Sequence, residues 1–397
     1  MSPAPTRSHA QISILLLTMS TFVIGTAEFV VMGILPDVAA DLSISIPKAG
    51  WLITAYSLGI AFGGLLFSLI ASKFKRKVAL VSLMAFFTAA NAICAWAPGH
   101  ETLLVARVVA ASGQGAFFGI GAVMAASLVP ANRQASAVAM MFTGLTLANV
   151  LGVPLGTAVG HWLGWRAPFI AITVLSVVGM IGLAFALPTS HGEEKVDLGS
   201  EIVALADRRI WISLASTVLF TMAIFPVFTY VAPLLQNVSG LSSDWIAITL
   251  LIGLGMTLGS YVGGRLSDWS LQSALVGIPV AIAVVSLALR WTTPSFLPGE
   301  INWFVWGAVT FAAIPTLQVS VMRFGSKAPN LVSTLNIGAF NIGIALGARV
   351  GGAALENGYQ LLDIPVVAAA IALLALLGVL ASTALLKTSP KSGPVTA

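Results

Sequence analysis

Charge is what this chain has least of. Asp, Glu, Lys and Arg make up 8% of its 397 residues, where a soluble domain carries about 25%. With 58% of residues hydrophobic, too little polar surface exists to face water all round, and a soluble fold is excluded. Cysteine is nearly absent too. Cys94 stands alone, so no intramolecular disulfide can form and no compartment is read from it. The four histidines, His9, His100, His161 and His191, fall in loops or at the ends of apolar runs. No His-Glu-x-x-His, Gly-x-Ser-x-Gly or Gly-x-x-x-x-Gly-Lys occurs, so zinc hydrolysis, a serine nucleophile and ATP-driven pumping lack their motifs. No enzyme activity, cofactor or metal is expected. The net charge of +5 comes from basic loops, and no nucleic-acid partner is expected.

What the chain has is long apolar runs without alternation. Runs of about 20 residues suit helices crossing a hydrocarbon core about 30 Å thick, because a backbone beyond the reach of water must satisfy its own hydrogen bonds. Spans are predicted at 11–35, 49–71, 78–97, 102–128, 134–160 and 167–187. A second set follows at 210–235, 244–264, 272–291, 301–322, 329–355 and 364–386. The first run is too long for a signal-peptide core and reads as a retained span. Residues 189–209 form the one long polar segment. The predicted architecture is all-α and polytopic: a six-helix bundle at 1–188, a cytoplasmic linker at 189–209 and a second bundle at 210–397. A monomer in the bilayer is expected.

Orientation follows from Lys and Arg. With the N-terminus in the cytoplasm, fourteen lie on the inner side, among them Lys73, Arg76, Arg133, Arg208 and Arg323, and three, Lys48, Arg166 and Arg290, lie outside. That asymmetry places both termini in the cytoplasm.

Glu28 is the only acid in the run 11–35. An acid at such depth is costly and marks a functional site by default. Arg107, within the fourth span, lies at similar depth, and pairing of the two would offset part of that cost. Desolvation and a neighbouring guanidinium act in opposite senses on a carboxyl's hold on its proton. Glu28 and Arg107 are therefore the candidate proton-coupling residues. Gln114 and Phe118 share the Arg107 helix face, and Thr21 shares the Glu28 face. Tyr230, Gln318, Asn336 and Asn341 add polar groups to the second half. These seven are candidate substrate contacts, although interhelical hydrogen bonding is an equally simple use for each amide. Arg349 either snorkels outward or pairs with Glu356.

Small residues recur every fourth position at Ala55-Gly59-Gly63, Gly152-Gly156-Gly160-Gly164, Gly255-Gly259-Gly263 and Gly343-Gly347-Gly351. Such ladders let helix backbones approach closely, either as static packing or as surfaces on which two halves slide. Pro154 interrupts the second ladder, and a bend is expected there. Residues 144–160 resemble 339–355, and the loop 68–77 resembles that after the eighth span. Weak repeats of this kind point to a transporter with its site between the halves.

Several stretches carry a family resemblance. Thr26-Ala-Glu28-Phe29 with Gly33-Ile-Leu-Pro36, Leu104-Val-Ala-Arg107 with Gly113-Gln-Gly115, Gly152-Val-Pro154-Leu-Gly156 and Asn336-Ile-Gly-Ala-Phe-Asn341 resemble the major facilitator superfamily. Within it they are similar to the proton-coupled drug and sugar efflux antiporters of the arabinose-efflux-permease-like branch. The resemblance implies the major facilitator fold, a proton role for Arg107, and an antiporter motif at Gly152, Pro154 and Gly156. The intracellular loop motif departs from the pattern: Ser68 and Ser72 replace its Gly and Asp. Lys73 and Arg76 remain, and the second copy keeps Gly264 and Asp268.

The expected function is proton-coupled export of a small organic solute (a sugar, a nucleoside or a drug) across the bacterial inner membrane by alternating access. Its partners are the solute, protons and lipid. A passive facilitator with a purely structural Glu28–Arg107 pair, or a proton-coupled importer, is the alternative.

Overall fold

The apolar runs fold as helices throughout. The computed structural model describes residues 7–71, 73–130, 133–188, 205–238, 245–325 and 329–388. Ten elements belong to the first half of the chain: α1 (Arg7–Gly33), α2 (Leu35–Asp41), α3 (Ile46–Leu58), α4 (Gly64–Ala71), α5 (Arg76–Ala95), α6 (His100–Ser112), α7 (Gln114–Ser127), α8 (Gln134–Leu147), α9 (Val153–Leu163) and α10 (Arg166–Ala186). Six follow: α11 (Arg208–Thr229), α12 (Val231–Val238), α13 (Trp245–Thr292), α14 (Phe296–Phe324), α15 (Pro329–Glu356) and α16 (Ile364–Thr388). The predicted linker lies outside the described residues up to 204. Its end is described, and there Asp207 accepts the N–H of Arg209 and caps α11.

Ten stretches among the described residues are long and apolar enough to cross a membrane. Two further features bear on the predicted spans. A π-turn at Gly59–Gly63 separates α3 from α4, so neither piece alone is long enough. The 48-residue α13 bends at Ser270, whose φ of −160° and ψ of 99° are extended. The chain is an all-α polytopic membrane protein.

The bend expected near Pro154 takes a specific form. Proline has no N–H to return to the carbonyl one turn back. A π-turn at Ala148–Gly152 precedes it, and α9 restarts with Pro154 in its first turn. At the opposite end of the bundle from the N-terminus, α2 is pinned by Asp41. Its carboxylate accepts from Trp165 Nε1 at 2.8 Å and from Arg166 at 2.7 Å. These two donors hold its carboxyl below the usual aspartate range.

The small-residue ladders turn out to pack within each half. A Cβ at Gly144, Gly152 or Gly156 would run into Thr21, Thr26 or Val30 of α1, and one at Gly160 into Ile34 just after it. One at Gly255, Gly259 or Gly263 would strike the α14 backbone, and one at Gly343, Gly347 or Gly351 would strike α11. Gly59 and Gly63 lie against α6. Of the two readings, that of sliding surfaces between the halves is therefore corrected: four-residue spacing brings each helix onto a neighbour in the same half of the chain.

Contact between the halves uses other elements. α3 and the π-turn after it meet α15, α13 meets α9 and the second π-turn, and α12 meets α1 and α2. These contacts run from mid-helix to the end where α1 terminates.

Candidate functional site

Glu28 sits five residues before the end of α1, next to the crossing of α3, α6 and α7. The helix carrying Arg107 stops at Ser112, and α7 starts afresh at Gln114 after Gly113. This break places Gln114 beside Glu28. Its Nε2 donates to Glu28 Oε2 at 2.6 Å, and its Oε1 accepts the Tyr56 hydroxyl of α3 at 2.8 Å. Gln114 and Tyr56 are buried, whereas Glu28 keeps partial exposure.

Arg107 is completely buried. Its fork donates to the carbonyl oxygens of Ala27 at 2.6 Å and Glu28 at 3.1 Å. Its face lies 3.7 Å from the Tyr56 ring centroid, a favourable place for a cation. The matched depth predicted from the sequence is observed, but the predicted carboxylate–guanidinium pair is not. Among the described residues no ion pair joins them. The guanidinium uses spare lone pairs on the α1 backbone, and the Glu28 side chain leaves α1 toward α7 instead. Arg107 Nε has no hydrogen-bond partner.

The other candidates divide. The Thr21 hydroxyl donates to Met141 O at 2.6 Å, which ties α1 to α8. Phe118 is buried, edge-on to Phe142 at 5.9 Å. Gln318 donates to Ser333 and accepts from Asn336, whose Oδ1 accepts the Thr217 hydroxyl. That chain ties α14, α15 and α11 together. Asn341 differs. Its Nδ2 returns to Ile337 O, and its buried Oδ1 has no partner. Ile337 packs with Tyr56 and Ile60, and Ala345 O accepts from Thr54. With Ile337 one turn before it and Ala345 one turn after, Asn341 lies on the face of α15 that meets α3.

Aromatic rings close the gap between the halves. Phe29, adjacent to Glu28, lies 5.9 Å from Phe228 of α11. Phe228 in turn touches Phe225, Trp306 and Phe311. Farther toward the end of α1, Tyr230 fills a notch between Gly50 of α3 and Gly351 and Gly352 of α15. Its hydroxyl donates to Ala348 O at 3.4 Å. Arg349 pairs with Glu356 at 2.9 Å and lies over Trp51 of α3 at 5.1 Å. The seven-residue spacing offered the first contact as one of two alternatives and gave no sign of the second.

Of the proposed conformational residues, Gly152 and Gly156 pack on α1 around Pro154, as described. Lys73 and Asp268 are exposed and Arg76 is partly so. Among the described residues none of these three forms an ion pair. A Cβ at Gly264 would meet open space. Ser72 lies outside the described residues. Among the described residues no group of three or more His, Cys, Asp or Glu could hold a metal ion.

Tyr56 is the site residue that sequence reasoning passed over. Its only signal was adjacency to the Ala55-Gly59-Gly63 ladder, which presses α3 close to α6.

Known proteins match along nearly the whole chain. The family profile described as Major Facilitator Superfamily matches residues 17–348. The Inner membrane transport protein YdhP of Escherichia coli (strain K12) is 43% identical over 365 residues, covering 92% of this chain and 94% of that protein. A Chloramphenicol resistance protein of Streptomyces lividans is 33% identical over 349 residues, covering 86% and 88%. A solved bacterial homolog of the human lysosomal transporter Spinster shares the fold. Its TM-score is 0.79 at 18% identity, covering 98% of this chain and all of that one.

Proposed function

We propose that this chain, which belongs to the Major Facilitator Superfamily, is a proton-coupled antiporter that exports a small organic solute across the bacterial inner membrane. The observation that carries this reading is the setting of Glu28. It is a partly buried acid inside an apolar span, and its carboxylate receives a donor from Gln114. The nearby cation, Arg107, is locked to backbone carbonyls and so is unable to follow the carboxylate as a fixed counter-ion. Such a carboxylate is free to exchange a proton for a ligand.

The reading includes twelve spans, in bundles at 1–188 and 210–397 joined by 189–209, with both termini cytoplasmic. Ten long apolar stretches, the α3–α4 pair around its π-turn, and the bend that divides α13 at Ser270 support that number. Contacts between the bundles cluster from mid-helix toward the outer end, where Tyr230 and Trp51 lie. The solute path in this state therefore opens toward the cytoplasm, and alternating access follows from parting the outer contacts. The solute meets Glu28, Gln114, the free amide oxygen of Asn341 and the rings around Phe228. Thr21, Phe118, Gln318 and Asn336 hold these groups from behind. A sugar, a nucleoside or a drug suits a set of groups that mixes rings with amides, and the chloramphenicol resistance of one relative makes chloramphenicol a natural first probe.

The test is flux in proteoliposomes with an imposed pH gradient, using chloramphenicol, a monosaccharide and a nucleoside as probes. Glu28→Gln is expected to abolish gradient-driven flux while leaving the purified protein folded. Wild-type flux that ignores the gradient would establish the passive facilitator instead.

A further inference from the structure

We infer that Tyr56 is a positioning residue that acts through Gln114 to set when Glu28 gives up its proton. This rests on the reading of Glu28 as the proton site. Three groups stand in line: the Tyr56 hydroxyl donates to Gln114 Oε1 at 2.8 Å, and Gln114 Nε2 donates to Glu28 Oε2 at 2.6 Å. The direction of the line is chemically determined. An ionised carboxylate only accepts hydrogen bonds, so the amide must turn its NH2 toward it. That leaves the amide oxygen facing Tyr56, whose hydroxyl then donates. Every dipole in the chain points its positive end at the anion, and bonds aligned this way strengthen one another.

Protonation of Glu28 weakens the line. Where the Gln114 NH2 keeps its place, it donates to a neutral carbonyl oxygen and loses the charge-assisted bond. Where the acid O–H turns to the amide oxygen, the amide rotates and its NH2 donates to the Tyr56 oxygen. The phenol can accept, but its own hydrogen then loses its partner in a buried setting, where Tyr56 is 1% exposed. The Tyr56 hydroxyl thus favours the ionised arrangement over the protonated one. The same ring carries Arg107 at 3.7 Å, so it cannot swing away to find another acceptor. The charged and titratable groups around Glu28 are Arg107 from α6, Tyr56 from α3 and, one shell farther out, Cys94 from α5. Gln114 from α7 and Phe228 across Phe29 are neutral. None of these duplicates the role of the phenol.

Tyr56→Phe removes the hydroxyl and keeps the ring beneath Arg107. Infrared difference spectra of the protein in lipid, recorded across a pH titration, report the protonated-carboxyl band of Glu28. It is identified by its loss in Glu28→Gln. The expected result is a midpoint in Tyr56→Phe displaced toward alkaline pH by about half a unit or more, which is about a threefold change in proton affinity. Gln114→Leu should displace it in the same sense. In a Gln114→Leu background, Tyr56→Phe should add nothing, because the link is already cut. A band that persists in Glu28→Gln overturns the proton-site reading itself. A band lost in Glu28→Gln with an unmoved midpoint in Tyr56→Phe overturns this inference alone. A displacement that survives in the Gln114→Leu background shows that Tyr56 acts by another route and overturns it as well.

Discussion

At the scale of single residues, the Arg107 guanidinium makes three contacts that no other side chain reproduces: two carbonyls and a ring face. Lysine would keep the charge but not the planar fork. Hydrogen bonds to charged groups contribute ~1.5–3 kcal/mol each. Losing one therefore slows a step that depends on this geometry by about tenfold or more. Arg107→Lys is expected to fold and reach the membrane, yet transport far more slowly than the wild type in the proteoliposome assay. Wild-type rates would show that charge alone suffices. Glu28 and Arg107 were legible because a charge in an apolar run stands out without any structure. Their mutual geometry was not, because residue counting gives depth along a helix but not the rotation of one helix against the next. Tyr56 was illegible for a related reason: one uncharged ring in an apolar helix has no pattern to distinguish it from packing.

Between elements, the glycines make a sharper division than their spacing implied. A Cβ at Gly259 would meet the Ala308 backbone, which has little freedom to yield, whereas one at Gly264 would meet nothing. Gly259→Ala should destabilise by about 1–3 kcal/mol through overpacking. Gly264→Ala should be neutral or stabilising, since alanine is favoured over glycine in a helix by about 1 kcal/mol. Thermal unfolding of the two variants side by side checks the contrast, and equal melting temperatures would contradict it. The ladders were visible in the sequence as periodicity, but periodicity does not name the partner helix. The two π-turns show the same limit. Pro154 foretold a disturbance in its span, whereas nothing comparable marks Gly59–Gly63. Both turns lie where the first half meets the second, the kind of place where extra-wide helical turns recur.

Over the whole molecule, the halves are held at one end by a small set of side chains. Tyr230 seats against Gly50 and Gly352, and Arg349 lies over Trp51. Replacing Tyr230 with alanine empties the notch and should let the two halves part at that end. Spin labels at Lys48→Cys and Tyr359→Cys, both exposed positions, should then report a longer distance population than in the wild-type background. Cys94 is the one native thiol and is buried, so it does not compete for label. An unchanged distance distribution would rule out the notch as the closing contact. The division into halves was read from composition, since only 189–209 is polar for long enough to link them. The closing contact was not, because it joins residues some 180 positions apart that share no motif.

The position of Glu28 also has an electrical consequence. Five residues of helix separate it from the end of α1, a rise of about 7.5 Å in a core of about 30 Å. In the proposed reading, a proton arriving from outside would cross roughly a quarter of the membrane voltage to reach it, worth ~0.6 kcal/mol per 100 mV. On the proposed orientation, a negative cell interior loads the carboxyl even when both sides have the same pH. A potassium diffusion potential imposed with an ionophore at matched pH should therefore drive solute movement in the wild type and fail to do so in Glu28→Gln.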